Sequence, residues 1–141
     1  MTQLTEHFSL EELTATSVRG VDNTPGPQEL LNLGHTARGM ELVRTLLNQA
    51  ISINSGYRSP AVNKAVGSKA KKSQHMEGRA VDFICPKFGT PREIVEAIKA
   101  SDIKYDQLIL EFDSWVHISF VEENSRKEVL VIDNSGTRYY V

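Results

Sequence analysis

The spacing of apolar positions changes along the chain, and each change marks an expected element. Ser9 stands three residues before Glu12 in "SLEEL", a capping-box spacing that predicts a short helix. "GVDNTPGPQ" is dense in Gly, Pro, Asn and Asp and reads as a loop. From about Gln28 to Ala50 apolar residues recur at helical spacing, which predicts a helix with Leu42, Val43, Leu46, Leu47 and Ala50 on its packed face. Gly34 and Gly39 weaken the first part of that helix, which is expected to bend or break there. Ile51 and Ile53 then alternate with polar residues in a short strand closed by Ser-Gly.

"VNKAVGSKAKKS" carries four lysines among small residues, as a helix end followed by an exposed loop would. "RAVDFIC" is β-branched and aromatic and predicts a buried strand. Thr90-Pro91-Arg92-Glu93 supplies a cap, an N1 proline and an N3 glutamate in order, so "EIVEAIKAS" continues as a helix. "YDQLILEF", "SWVHISFV" and "EVLVIDNSGTRYYV" are further strand candidates separated by turn residues, expected to form an antiparallel meander. Helices first and strands last make an α+β chain. No repeat, low-complexity tract or linker divides it, so residues 1–141 are expected to form one domain.

Composition narrows the functional classes. Apolar residues make up 40% and charged residues 24%, the balance of a globular domain. The net charge of −2 gives no global attraction to nucleic acid or anionic lipid. No run approaches the roughly 20 apolar residues of a membrane span. The start, "MTQLTEHFSLEEL", lacks a basic segment followed by an apolar one, so no secretory leader is expected there. With one cysteine, Cys85, the chain has no internal disulfide, which fits synthesis in a reducing cytosol.

The chemistry concentrates in three residues. "SQHMEGRAVDF" places His75 and Asp82 seven apart, with Asp82 on the opposite side of its strand from Val81 and Phe83. A carboxylate amid such neighbours is costly unless paired, hydrogen-bonded or bound to a metal. In "SWVHISF" alternation places Val116, Ile118 and Phe120 on one face and Trp115, His117 and Ser119 on the other. Two histidines and a carboxylate, with a fourth position left to water, suit a catalytic Zn²⁺ site. Each also has a plainer reading, as a hydrogen-bonded histidine or a structural ion pair. His7 and His35 have no comparable setting and read as surface residues.

Ser73-x-His75-x-x-Gly78-x-Ala80-x-Asp82, joined downstream to Trp115-x-His117, resembles the zinc D-Ala-D-Ala carboxypeptidase and L-alanyl-D-glutamate endopeptidase family of murein peptidases. "SGYRSPAVNKAVG" is similar to that family as well, and its motif arginine corresponds to Arg58. The resemblance runs from about Phe8 to Phe120 and is to the small single-domain bacteriophage members. It implies a Hedgehog/D,D-peptidase-like fold, with helices packed on a mainly antiparallel sheet. It also implies one zinc held by His75, Asp82 and His117. Arg58 would grip a terminal carboxylate or an oxyanion, and Ser73 would donate to the substrate or shape the loop before His75. Gly78 would allow the turn between ligands.

The general base is less fixed. Many relatives carry an acid three positions before the last histidine, where this chain has Ser114; others carry a histidine two before it, where Trp115 stands. Glu111 and Asp113 are the remaining candidates. A two-residue Asp113-Ser114 turn would pair Leu110 with His117 and leave Glu111 on the wrong face, whereas a three-residue turn through Trp115 would set Glu111 across from His117. Relatives with a glutamate in the "LIxEF" segment favour Glu111.

The expected function is zinc-dependent hydrolysis of an amide bond in peptidoglycan stem or cross-link peptides, as a D,D-carboxypeptidase or endopeptidase of the endolysin kind. The protein is expected to be a monomer that neither binds nucleic acid nor inserts in a membrane, and that acts at the cell wall after release by a separate partner. Two rivals are a zinc-containing wall-binding or virion protein without activity, and nucleic-acid binding through "KAVGSKAKK". The second has no interleaved aromatic residues to support it.

Overall fold

Among the described residues, six strands form one sheet in the order β1-β2-β4-β3-β5-β6, and four helices accompany it. The computed structural model describes residues 2–67 and 73–141. Lys69, Lys71 and Lys72 of the lysine-rich segment lie outside the described residues. Along the chain come α1 (Leu10–Thr14), α2 (Pro27–Leu47), β1 (Ser52–Ser55), α3 (Pro60–Ala65), β2 (Ala80–Ile84) and α4 (Pro91–Lys99). β3 (Gln107–Glu111), β4 (Trp115–Ser119), β5 (Glu128–Asp133) and β6 (Gly136–Tyr139) complete it. The fold is α+β with a mostly antiparallel sheet, as expected. Both capping boxes are present, Ser9 with Glu12 and Thr90 with Glu93, each satisfying amide donors that a helix start leaves open.

Strand alternation gives the sheet two unlike faces. Val81 and Phe83, Val116 and Ile118, and Leu108 and Leu110 are buried with Leu33, Met40, Val43 and Leu47 of α2 and Ile94 and Ile98 of α4. Each such side chain contributes about 1.5–3 kcal/mol when fully buried. The other face carries Asp82, His117 and Ile109, neighbours in one row across β2, β4 and β3. Among the described residues no helix is long and apolar enough to cross a membrane.

Three expectations need correction. α2 is neither broken nor bent out of helical pairing at Gly34 or Gly39. A Cβ at Gly39 would come within 2.7 Å of the Phe120 ring, so that glycine lets β4's exit pack close. The packed face of α2 is also different. Val43 and Leu47 are buried, but Leu42 is 57% exposed, Leu46 is exposed and Ala50 lies beyond the helix in solvent. Leu42 is one residue from Val43, about 100° round the helix, and the sheet covers only Val43's side. Finally, the last strands are not a meander. "EVLVIDNSGTRYYV" splits into the β5–β6 hairpin, and β5 crosses past β3 to pair with it in parallel.

That crossing is pinned by Asp106, which is 4% exposed. Its carboxylate accepts from Arg126 Nε, Nη2 and backbone N at 2.7 to 3.1 Å, and from Gln74 Nε2 at 2.9 Å. Hydrogen bonds from Arg126 outweigh burial and, with Gln74 and the Arg126 charge, bring the Asp106 pKa down from 3.8 to about 2. A lowered folded pKa stabilises the protein above the unfolded value and ceases to do so as pH falls through the folded one. Asp106→Asn should therefore cost about 2 kcal/mol at pH 7. The gap to the unsubstituted protein should close between about pH 4 and 2. Urea midpoints across that range measure it, and a gap independent of pH would remove the ion pair from the account.

Candidate active site

The site is built where the row Asp82–His117 meets the turn that carries His75. β2 holds Asp82 directly opposite His117 on β4, which puts both side chains on the open face of the sheet. His75 comes from the turn before β2. Gly78 ends that turn at φ 76°, and a Cβ there would lie 2.7 Å from the Glu29 carbonyl of α2. A larger residue would meet both backbone strain and a clash.

The three groups are all buried, with His75 4%, Asp82 6% and His117 9% exposed. One ligand atom from each can be chosen so that all lie within 4.8 Å of one another. His75 Nε2 is 3.3 Å and His117 Nδ1 2.9 Å from Asp82 Oδ1. The two imidazoles meet edge to face at 5.1 Å between centroids. Burial would raise the Asp82 pKa, but hydrogen bonding to His117 and His75, and their charges, outweigh it and hold the carboxyl well below its usual range.

The donors themselves test the fit to a metal. His75 Nδ1 lies 2.7 Å from the Gly56 carbonyl, which only accepts, so Nδ1 carries a proton. In a neutral ring, Nε2 then presents a lone pair to an ionised carboxylate oxygen. Two buried acceptors in that arrangement require a cation or a further proton between them. Donor atoms of a tetrahedral zinc site stand about 3.3 Å apart, close to the separations found. The residues fit zinc, with His75 offering Nε2, His117 Nδ1 and Asp82 a carboxylate oxygen. With a metal bound, the carbonyl of Gly56 would hold the His75 ring as outer hydrogen bonds hold metal-bound histidines.

Arg58 is tied to this centre. Its Nη2 donates to Asp82 Oδ2 at 3.3 Å and its Nε to Ser55 Oγ at 3.1 Å, while its backbone N–H donates to the His75 carbonyl. A bulge in β1 between Ile53 and Ser55 brings Ser55 opposite Asp82. Ser73 accepts from the His75 backbone N–H through Oγ at 3.1 Å, which leaves its own proton available.

The hairpin takes neither register considered from the sequence. Glu111 pairs with Trp115, and Ile109 pairs with His117. The turn is Phe112-Asp113-Ser114, closed by Ser114 N–H to the Glu111 carbonyl at 3.0 Å, with Phe112 and Asp113 at φ 54° and 51°. Positive φ at both central positions matches the twist of a tight hairpin. Glu111 therefore shares a face with His117 as a diagonal neighbour, its Oε1 3.7 Å from His117 Nδ1. Burial and the Asp82 charge raise its pKa, against the opposing pull of His117, Arg58 and Trp115. Asp113 instead sits exposed on the turn and pairs with Arg92 at 3.2 Å.

Arg58, Ser73, His75, Asp82, Glu111 and His117 all line one cavity of about 720 Å³. Gln74, Gln107 and Arg126 line it too, and the sequence reading singled out none of them. A separate groove of about 510 Å³ beside Leu42, Ile103 and Phe120 holds none of the site residues. His7 pairs with Glu41 and His35 lies 3.9 Å from Glu122, both outside the cavity.

No curated protein matches the chain. The sequence profile of the family described as Peptidase M15 matches residues 6–119, most of the chain and a span that includes all three donors. The chain belongs to the Peptidase M15 family of zinc-dependent metallopeptidases.

Proposed function

We propose that the protein hydrolyses an amide bond in peptidoglycan stem or cross-link peptides, as a phage-type lysis enzyme acting at the cell wall. The observation that carries the reading is the placement of Glu111. A largely buried carboxylate stands beside a buried His-Asp-His donor set, in a cavity of about 720 Å³. Zinc bound by His75, Asp82 and His117 would lower the pKa of a water and polarise the scissile carbonyl.

The chain's own groups supply the rest. Glu111 takes the proton of the attacking water and returns it to the departing amine. Its raised pKa favours that second step, since a carboxyl that holds its proton longer is a better donor. Arg58 offers a planar fork to a terminal carboxylate or to a developing oxyanion, held in place by Ser55 and Asp82. Ser73 has a hydroxyl proton to give in the same cavity.

Digestion of purified murein by the zinc-loaded protein, followed by mass spectrometry of the fragments, names the bond. New amines and carboxyls at a single stem or cross-link position are expected. Binding to murein with no fragment released would leave the non-catalytic wall-binding reading in its place.

A further inference from the structure

The cavity continues past the donor set to a second cationic group. Gln107, Ile109 and Glu111 alternate along the cleft side of β3 and all line the cavity, so the Gln107 end lies about 13 Å from Glu111. Arg126 lines the cavity and precedes Glu128, the β5 residue paired with Gln107. It also lies beyond the residues that the family profile matches.

Arg126 differs from an ordinary surface ion-pair member. Its partner Asp106 is buried, and both carboxylate oxygens are already occupied, by Arg126 itself and by Gln74. The guanidinium is thereby fixed through Nε and Nη2 while its side chain stays 52% exposed. Nη1 makes no hydrogen bond among the described residues, and its anionic contact there is Glu128 at 3.9 Å. Glu128 is itself engaged by Gln107 Nε2 at 2.7 Å. A fork held before any ligand arrives loses little freedom on binding one.

We propose that Arg126 binds a carboxylate of the peptide substrate several peptide units from the scissile bond, and so makes the enzyme selective for acidic stem peptides. The inference rests on the peptidase reading and assigns a second anchor, at the opposite end of the cavity from Glu111. About three residues of an extended peptide, with the reach of an acidic side chain added, cover the distance. Arg58 serves the reacting end, and Arg126 reads the remote one.

The test uses two stem pentapeptides of sequence L-Ala-γ-D-Glu-meso-diaminopimelyl-D-Ala-D-Ala. In one the glutamyl and diaminopimelyl side carboxylates are free; in the other both are amidated. Cleavage kinetics and calorimetric binding are measured for the zinc-loaded protein and for Arg126→Gln. The unsubstituted protein should show a KM and Kd about tenfold lower for the acidic peptide, the scale of one charge-assisted hydrogen bond. Arg126→Gln should erase that preference by weakening the acidic peptide about tenfold more than the amidated one. An equal loss on both peptides would make Arg126 a purely structural residue and overturn the proposal, as would an unaltered preference. Preferential binding through Arg126 without cleavage would uphold the anchor and defeat the peptidase reading. Absence of both binding and cleavage would defeat the two together.

Discussion

Chelation of the metal should abolish peptide hydrolysis and lower the melting temperature, and added zinc should restore both. Without an ion, the Asp82 carboxylate and the His75 Nε2 lone pair confront each other at 3.3 Å in the interior. A ligand that binds only the folded chain stabilises it by about 2.7 kcal/mol at a hundred times its Kd. His75→Ala, Asp82→Ala and His117→Ala should each reduce metal content from one ion per chain to less than about a tenth, since three protein ligands are the usual minimum for a catalytic site. Arg58→Ala is the contrast. It removes a hydrogen bond to Asp82 Oδ2 but no donor atom, so zinc should stay while turnover falls. Elemental analysis after dialysis measures the first effect and scanning calorimetry the second. Wild-type metal content in all three ligand variants would refute the site.

Asp82 and His117 were legible because each stands against its surroundings, whereas His75 lies in a turn and is marked only by its place in the Ser73-to-Asp82 motif. Asp82 interrupts an apolar strand, and His117 repeats the interruption in β4, two strands later in the chain and directly beside β2 in the sheet. Alternation alone therefore sends both to the face opposite Val81 and Ile118. The pairing of Asp82 with His117 is a tertiary fact, but any register that buries Phe83 and Val116 together favours it. The helix face was harder. Leu42 and Leu46 form a stripe next to Val43 and Leu47, and helical spacing accepts either. What decides is which side of the helix the sheet covers, and the strand residues buried with Val43 and Leu47 come from far along the chain. The "FDSW" turn contains no glycine to advertise its left-handed positions, so its register could not be read.

Arg126 was out of reach for a different reason. In sequence it sits within a turn-rich stretch, "VEENSRKEV", and looks like any solvated charge. Only the parallel pairing of β5 with β3 carries it back to the cavity. A parallel partner needs a crossover, and the crossover here is a loop held by Asp106 rather than a helix with its own periodic signature. Polar loops without periodicity leave their destination unstated. The same holds for Gly56, whose carbonyl fixes the His75 ring through a backbone atom that no side-chain pattern announces.

Glu111→Gln should lower the rate of peptide hydrolysis by about 100-fold or more, the scale of a lost general base. The substitution keeps the shape of the side chain and its ability to accept a hydrogen bond, but removes the capacity to take a proton from water and pass it on. Metal content should stay at one ion per chain, because Glu111 is separate from the donor set and reaches only to 3.7 Å from His117 Nδ1. Asp113→Asn is the matched control. Asp113 is exposed, occupies a left-handed turn position that asparagine also tolerates, and pairs with Arg92 away from the cavity. Its loss should leave kcat within about twofold, given the small value of an exposed ion pair. Single-turnover hydrolysis of a defined stem peptide separates the chemical step from binding in both variants. An inactive Asp113→Asn beside an active Glu111→Gln would mean that the hairpin presents the other carboxylate in solution. Full activity in both would leave neither as the base, and proton transfer would have to run through a group outside this hairpin.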